Sequence, residues 1–318
     1  MSTSYATMFS ITAVICVTSY IFRRQISSFL SSLPRLRVTL DAPKLSAQEQ
    51  AKVAQKTYET DTMTGLYAEF HFGPIAFRAP DDSRRNFPQR CAELAVAAYR
   101  DANSNAFPRR IADVGCGTGR SSFEFAKLCR DAQVLGLDYS ATFIQVAKNL
   151  QTLGSLTYTI PRQGDIPQRR IVTAEELKIT AESLKRITFE QADAHNIRKS
   201  ESKDGDTFDL VLAANLIDRL YDPALFLRNI LPRISPSGVL VLTSPYTWLP
   251  EYTAKDKWLG ARSIDGKDVT TELALTEFFG EAGWEQIDAQ DVPFYIRETE
   301  RKGQYTVAHL TAWRRKSQ

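Results

Sequence analysis

The residues best suited to chemistry gather in the middle of the chain. In Ile111-Ala112-Asp113-Val114-Gly115-Cys116-Gly117-Thr118-Gly119-Arg120, three glycines alternate behind a short apolar run. Glycine tolerates backbone angles and close approaches that a Cβ forbids, so this segment suits a tight strand-to-helix turn laid against a ligand. The free N–H groups of a helix starting near Ser121 would face the same point. The G-x-G-x-x-G spacing of dinucleotide loops, counted from Gly115, requires glycine where Arg120 stands. Asp138 closes a second run, Leu135-Gly136-Leu137-Asp138-Tyr139-Ser140, and Asp193 follows a third, in Gln191-Ala192-Asp193-Ala194. A carboxylate at a strand end offers two acceptor oxygens to a vicinal diol such as a ribose. Each acid also has a plainer role open to it: Asp138 as N-cap of a helix near Ala141, Asp193 as a loop cap.

Such residues need a scaffold that ends strands at one edge. From Arg110 onward, short apolar runs at 111–114, 134–137, 187–189, 210–212 and 239–242 alternate with helical patterns near 121–130, 141–152 and 223–233. This alternation predicts an α/β fold: a doubly wound, mostly parallel, Rossmann-like sheet covered on both faces. Two late runs, Val292 to Ile296 and Tyr305 to Trp313, are candidate edge strands.

The rest of the composition narrows the class. The 318 residues carry 40 basic and 37 acidic side chains, a net charge of +3, which is a poor footprint for nucleic acid. Cys16, Cys91, Cys116 and Cys129 form no C-x-x-C pair, which argues against a disulfide framework, a zinc site or any other metal centre. Residues 1–22 hold no charge, and Ala6 to Phe22 is mostly apolar before Arg23-Arg24. That run is near the lower length limit for a membrane span, and its flanking arginines would leave the main body in the cytoplasm. The lack of acids before Asp41 fits an organelle-targeting peptide instead. The expected organisation is an anchor or targeting segment over 1–40, a polar linker over 41–56 and one catalytic domain over 57–318.

The spacing D-x-G-x-G-x-G from Asp113 to Gly119 resembles motif I of class I S-adenosylmethionine-dependent methyltransferases. The resemblance implies S-adenosylmethionine as cofactor. Asp113, Gly115, Gly117 and Gly119 would curve round its amino-acid part, Asp138 with Tyr139 would hold the ribose, and Asp193 with Ala194 the adenine. Asn215 would complete the cofactor site. A narrower resemblance covers roughly residues 57 to 315. Ala213 to Pro223, Leu242 to Trp248 and Asp291 to Thr299 look like the C-terminal methyltransferase domain of the ovothiol-biosynthesis enzyme OvoA. So do Tyr58-Glu59-Thr60-Asp61, Glu69-Phe70-His71-Phe72-Gly73 and Asn86 to Glu93. That family implies N-methylation of the imidazole of 5-thiohistidine (4-mercaptohistidine). OvoA's iron-dependent sulfoxide synthase domain has no counterpart here, and His71, His195 and His309 are widely dispersed. A separate thiohistidine-producing enzyme would then be a partner.

The expected catalytic group past the fourth and fifth strands is Asn215, Asp218 and Tyr246. The expected acceptor site adds Tyr58, Glu69, His71 and Ser244, with Arg297 for a substrate carboxylate and Glu298 for its ammonium. Bland alternatives stand beside these: Tyr246 as a core aromatic, Asp218–Arg219 and Arg297–Glu298 as surface charges, His71 as packing. Rival functions are methylation of another small or lipid-like substrate at a membrane, a non-catalytic cofactor-binding subunit, and aminopropyl transfer.

Overall fold

The computed structural model describes residues 58–74, 79–83, 86–197, 207–264 and 266–316. The expected segments 1–40 and 41–56 lie outside the described residues. Among those described, no helix is long and apolar enough to cross a membrane.

The chain begins with helices α1 (Asp61–Phe72) and α2 (Phe87–Ala102), then β1 (Arg110–Val114), α3 (Arg120–Leu128), β2 (Gln133–Asp138) and α4 (Ala141–Leu153). A hairpin follows, β3 (Ser155–Gln163) with β4 (Ile166–Thr173), then α5 (Ala181–Lys185), β5 (Ile187–Gln191), β6 (Phe208–Ala214), α6 (Pro223–Ile230) and β7 (Ile234–Ser244). A short hairpin of β8 (Arg262–Ile264) and β9 (Lys267–Val269) leads to α7 (Thr271–Glu281), β10 (Trp284–Arg297) and β11 (Gly303–Arg315).

The main sheet has seven strands in the order β10-β11-β7-β6-β1-β2-β5. Pairings among β5, β2, β1, β6 and β7 are parallel, and β11 and β10 join antiparallel at one edge. The parallel strands are apolar on both faces because both are covered. On β6, Leu210 and Leu212 enter one core with α2, α3 and α4, while Val211 and Ala213 enter a second with Phe226 and Leu227 of α6 and Phe279 of α7. The chain leaves β1 for β2 on one side and returns to β6 on the other. Loops after β1 and β6 therefore diverge, opening a crevice at the carboxyl ends of the strands.

Local chemistry fixes the elements that frame this crevice. Ser140 caps α4, its Oγ accepting from the Phe143 N–H at 3.1 Å, and Gly154 ends that helix in the left-handed region. Asn86 caps α2 through the Gln89 N–H at 3.0 Å, and its side-chain amide donates to the His71 carbonyl at 2.9 Å. One residue thus starts α2 and ties down the end of α1.

A buried charge cluster joins α1 to the far edge of the sheet. Glu69 is 4% exposed; it pairs with Arg297 of β10 at 3.0 Å and Arg170 of β4 at 3.6 Å, and accepts from the Tyr158 hydroxyl of β3 at 2.8 Å. Removing the carboxylate would leave cations in a half-buried site without an anion. Glu69→Gln, which keeps the volume, should cost stability toward the lower end of about 3–5 kcal/mol, read as a lowered urea midpoint. A midpoint equal to wild type would show that the cluster does not stabilise the fold.

Candidate active site

The glycine loop passes from β1 to α3 at the floor of the crevice. The Gly115 and Cys116 N–H groups donate to the Leu137 carbonyl at 2.7 and 2.9 Å, holding the loop against β2. Asp138 completes the junction: its Oδ2 accepts from the Gly117 N–H at 2.8 Å and its Oδ1 from the Ser140 N–H at 2.9 Å. Gly119 lies at φ 91°, and a Cβ there would stand 2.8 Å from the Phe189 ring. At Gly117, φ is 55° and a Cβ would fall 2.9 Å from Cε1 of His71. Both positions exclude a side chain by angle and by space. Beneath the loop, Asp113 is 1% exposed and accepts from the Ser121 and Ser122 hydroxyls, each at 2.6 Å. It braces the start of α3 and does not line the crevice.

Above this floor lies a cavity of about 800 Å³. Its lower half brings together Gly115, Gly117, Asp138, Tyr139, Asp193 and Ala194, with Asn215 beyond them. Asn215 sits at φ 50°; its N–H donates to the Thr243 carbonyl at 2.8 Å and its Oδ1 accepts from the Thr243 hydroxyl at 2.9 Å. Asp193 accepts from the His195 backbone N–H at 2.9 Å and contacts its Nδ1 at 2.7 Å. These bonds hold the Asp193 carboxyl below its ordinary range, against the opposing effect of burial. The His195 ring stacks on Tyr221 at 3.8 Å, with Nε2 3.1 Å from the Asp222 carbonyl. An S-adenosyl group fits this half. Each Asp138 oxygen keeps a lone pair beyond its backbone bond, as a ribose diol requires, and the side-chain-free loop leaves a cradle for an extended chain.

The upper half is aromatic. Tyr58, Tyr67, Phe143 and Tyr252 face one another, with Tyr58–Tyr67 at 5.7 Å and Tyr67–Phe143 at 4.6 Å. Arg219 lies 5.1 Å over the Tyr252 ring. Phe70, Phe87 and Phe294 form the far wall, and Glu298 stands among the lining residues paired with Lys302 and Gln304. Burial raises the Tyr67 hydroxyl to about 12 and pushes Tyr58 higher still, so both phenols stay protonated.

Four expected acceptor residues take other places. Tyr246 turns out of the cavity at φ 54°, and its hydroxyl meets Nδ1 of His309 at 2.8 Å. Ser244 is buried and spends its hydroxyl on Asp218 at 3.0 Å and on the Tyr246 N–H at 3.0 Å. Glu69 and Arg297 are consumed by the cluster joining α1 to the sheet, so Arg297 is not free for a substrate carboxylate. Asp218 does line the cavity, but its Oδ2 accepts from Arg219 at 2.8 Å and Thr247 at 2.9 Å, while Oδ1 takes Ser244. It organises the loop after β6 through these three bonds.

Sequence reasoning missed Tyr67, Tyr252, Arg219 and Phe143. Only Tyr67 had a legible signal, one helical turn before His71 on the same face. Glu59 was also missed: its carboxylate accepts from the Ala141 N–H at 2.8 Å and the Thr142 N–H at 3.3 Å, joining the start of the described chain to the N-terminus of α4.

Burial raises Asp138 to about 6, above its ordinary carboxylate range. Two hydroxyl donors are best served by the ionised form, so affinity for S-adenosylmethionine should tighten as pH rises through about 6 and level off above it. Asp138→Ala should weaken binding by about 1–3 kcal/mol at the plateau and flatten that step. Calorimetry showing unchanged affinity would remove Asp138 from the site.

Residues 112–240 match the family model of a methyltransferase domain. An uncharacterised methyltransferase of Emericella nidulans is 30% identical over 157 residues, 47% of this chain and 47% of that protein. This chain thus spans about half the length of that relative. A ubiquinone biosynthesis O-methyltransferase of Rhodopseudomonas palustris is 26% identical over 214 residues, covering 58% of this chain and 70% of the relative. Among solved structures, the cyclase SpnF superposes with a TM-score of 0.51 at 19% identity, over 84% of this chain and 97% of its own. The magnesium protoporphyrin IX methyltransferase of Synechocystis, with S-adenosylhomocysteine bound, gives 0.50 at 13% identity, over 84% of this chain and all of its own. At such identities the structures speak for the fold alone, and the cyclase shows that this fold hosts more than one chemistry. The glycine loop, its two acids and the family match point the same way: residues 112–240 are similar to a methyltransferase domain, and the crevice above them suits S-adenosylmethionine.

Proposed function

We propose that the chain methylates a small acceptor, and that the acceptor is the imidazole nitrogen of 5-thiohistidine. One observation carries the choice of a nitrogen acceptor: apart from Asp138, which is reserved for the cofactor, each carboxylate lining the cavity among the described residues already holds a hydrogen bond, and each imidazole has at least one ring nitrogen in such a bond. Asp218 accepts from Arg219, Thr247 and Ser244, Glu298 is bound to Lys302 and Gln304, and His195 lies between Asp193 and the Asp222 carbonyl. Nδ1 of His71 accepts from the Arg120 N–H at 3.4 Å. A phenol or alcohol acceptor must lose a proton as it is methylated, and these groups offer no vacant base for it. A neutral imidazole attacks through a free lone pair and needs orientation more than deprotonation.

Bound S-adenosylmethionine supplies an electrophilic methyl on a sulfonium. The chain's own contribution is to exclude water and present aromatic faces. Tyr58, Tyr67, Tyr252 and Phe143 can favour the positive charge that passes from one reactant to the other. On a thiohistidine, the neighbouring thiolate then neutralises the new imidazolium. Support for that acceptor comes from the OvoA-like strings: Tyr58 and His71, Leu216 and Asp218, Pro245 and Thr247, and Phe294 and Glu298 all line the one cavity. A thiohistidine-producing enzyme would then act beforehand, and membrane association through residues 1–40 belongs to the same proposal.

A second reading is O-methylation of an apolar ring. The aromatic wall of Phe70, Phe87 and Phe294 and the ubiquinone-pathway relative favour it. Full-length protein with S-adenosylmethionine should add one methyl to 5-thiohistidine, seen by mass, and leave a catechol acceptor unchanged. Turnover of the catechol alone would reverse the ranking.

A further inference from the structure

His71 stands at the end of α1, outside the segment that matches the methyltransferase model, and the proposed reaction leaves it no proton to carry. The residue is 6% exposed, yet its ring lines the cavity. Its carbonyl is fixed by the side chains of Asn86 at 2.9 Å and Arg120 at 3.2 Å. Its Nδ1 receives the Arg120 backbone N–H at 3.4 Å, so the ring proton resides on Nε2. Nε2 has no partner among the described residues. It is directed at Gly117, where an added Cβ would come within 3.1 Å of it.

Arg120 donates to the His71 carbonyl while paired with Glu124 at 2.8 Å, and the first N–H groups of α3, the positive end of that helix, open beside the loop. Burial first, and then the Arg120 charge, hold the imidazole down to about 3, so the ring stays a neutral donor throughout the working range.

Resting on the reading that S-adenosylmethionine occupies the glycine loop, we infer that Nε2–H of His71 binds the carboxylate of the cofactor's amino-acid end. His71 is then a binding residue for the cofactor rather than for the methyl acceptor. It would make α1 part of the cofactor site, so that the nucleoside half is held by the sheet and the amino-acid half by α1 and the loop together.

Two ligands test this by calorimetry. S-adenosylhomocysteine carries the amino-acid carbons, and 5′-methylthioadenosine has the same nucleoside without them. His71→Phe should weaken S-adenosylhomocysteine about 10- to 100-fold while leaving methylthioadenosine within about 2-fold. His71→Gln, which restores an N–H donor, should recover part of the loss. Retained methylthioadenosine binding also certifies that each variant is folded. Equal losses for both ligands, or none for either, would overturn the assignment, as would a change confined to the acceptor's KM. Wild-type protein that binds neither ligand would overturn the cofactor reading itself, and is recognised because no variant is needed to see it.

Discussion

The Asp138 carboxylate sits where three elements must meet. It ends β2, holds the Gly117 N–H of the loop and holds the Ser140 N–H at the start of α4. A carboxylate pushed up to about 6 by burial is costly to keep ionised, and two backbone donors repay part of that cost. If the loop shifts, the carboxylate loses a donor; if α4 shifts, it loses the other. The floor of the cavity is therefore one rigid corner, and the switch in strand order between β1 and β6 opens the space above it.

The roof is built by residues before the sheet. Glu59 reaches the N-terminus of α4, Asn86 and Arg120 fix the His71 carbonyl, and Glu69 binds α1 to β10 and the β3–β4 hairpin. These contacts hold Tyr58, Tyr67 and Phe70 over the corner held by Asp138 and give an aromatic chamber. Most of the polar groups around it are hydrogen-bonded to one another, which is the ground for proposing an acceptor that arrives with its own lone pair.

Much of the fold was legible because its signals are local. The β-branched runs at 111–114 and 239–242 lie in strands apolar on both faces, and each glycine-loop position is set by the turn it must make. The hairpin β3–β4 was not anticipated: its alternation of Leu156, Tyr158 and Ile160 ahead of Gly164-Asp165 lies apart from the βα repeat. Glu69, Arg297 and Tyr246 take places that spacing does not reveal, for a different reason. Glu69 and Arg297 are 228 positions apart, and nothing local announces that each is the other's partner. Tyr246 follows β7 as expected, yet a single left-handed residue turns its ring toward His309. Side-chain direction after a strand depends on one backbone angle, which spacing does not encode.

The central claim is that one corner, organised by Asp138, receives the S-adenosyl group beneath an aromatic roof. A crystal structure of the full chain with S-adenosylhomocysteine tests it most directly. Both ribose hydroxyls should lie within hydrogen-bond distance of the Asp138 carboxylate, with the sulfur facing the chamber of Tyr58, Tyr67 and Tyr252. A nucleoside bound elsewhere, or a sulfur directed away from that chamber, would contradict the account.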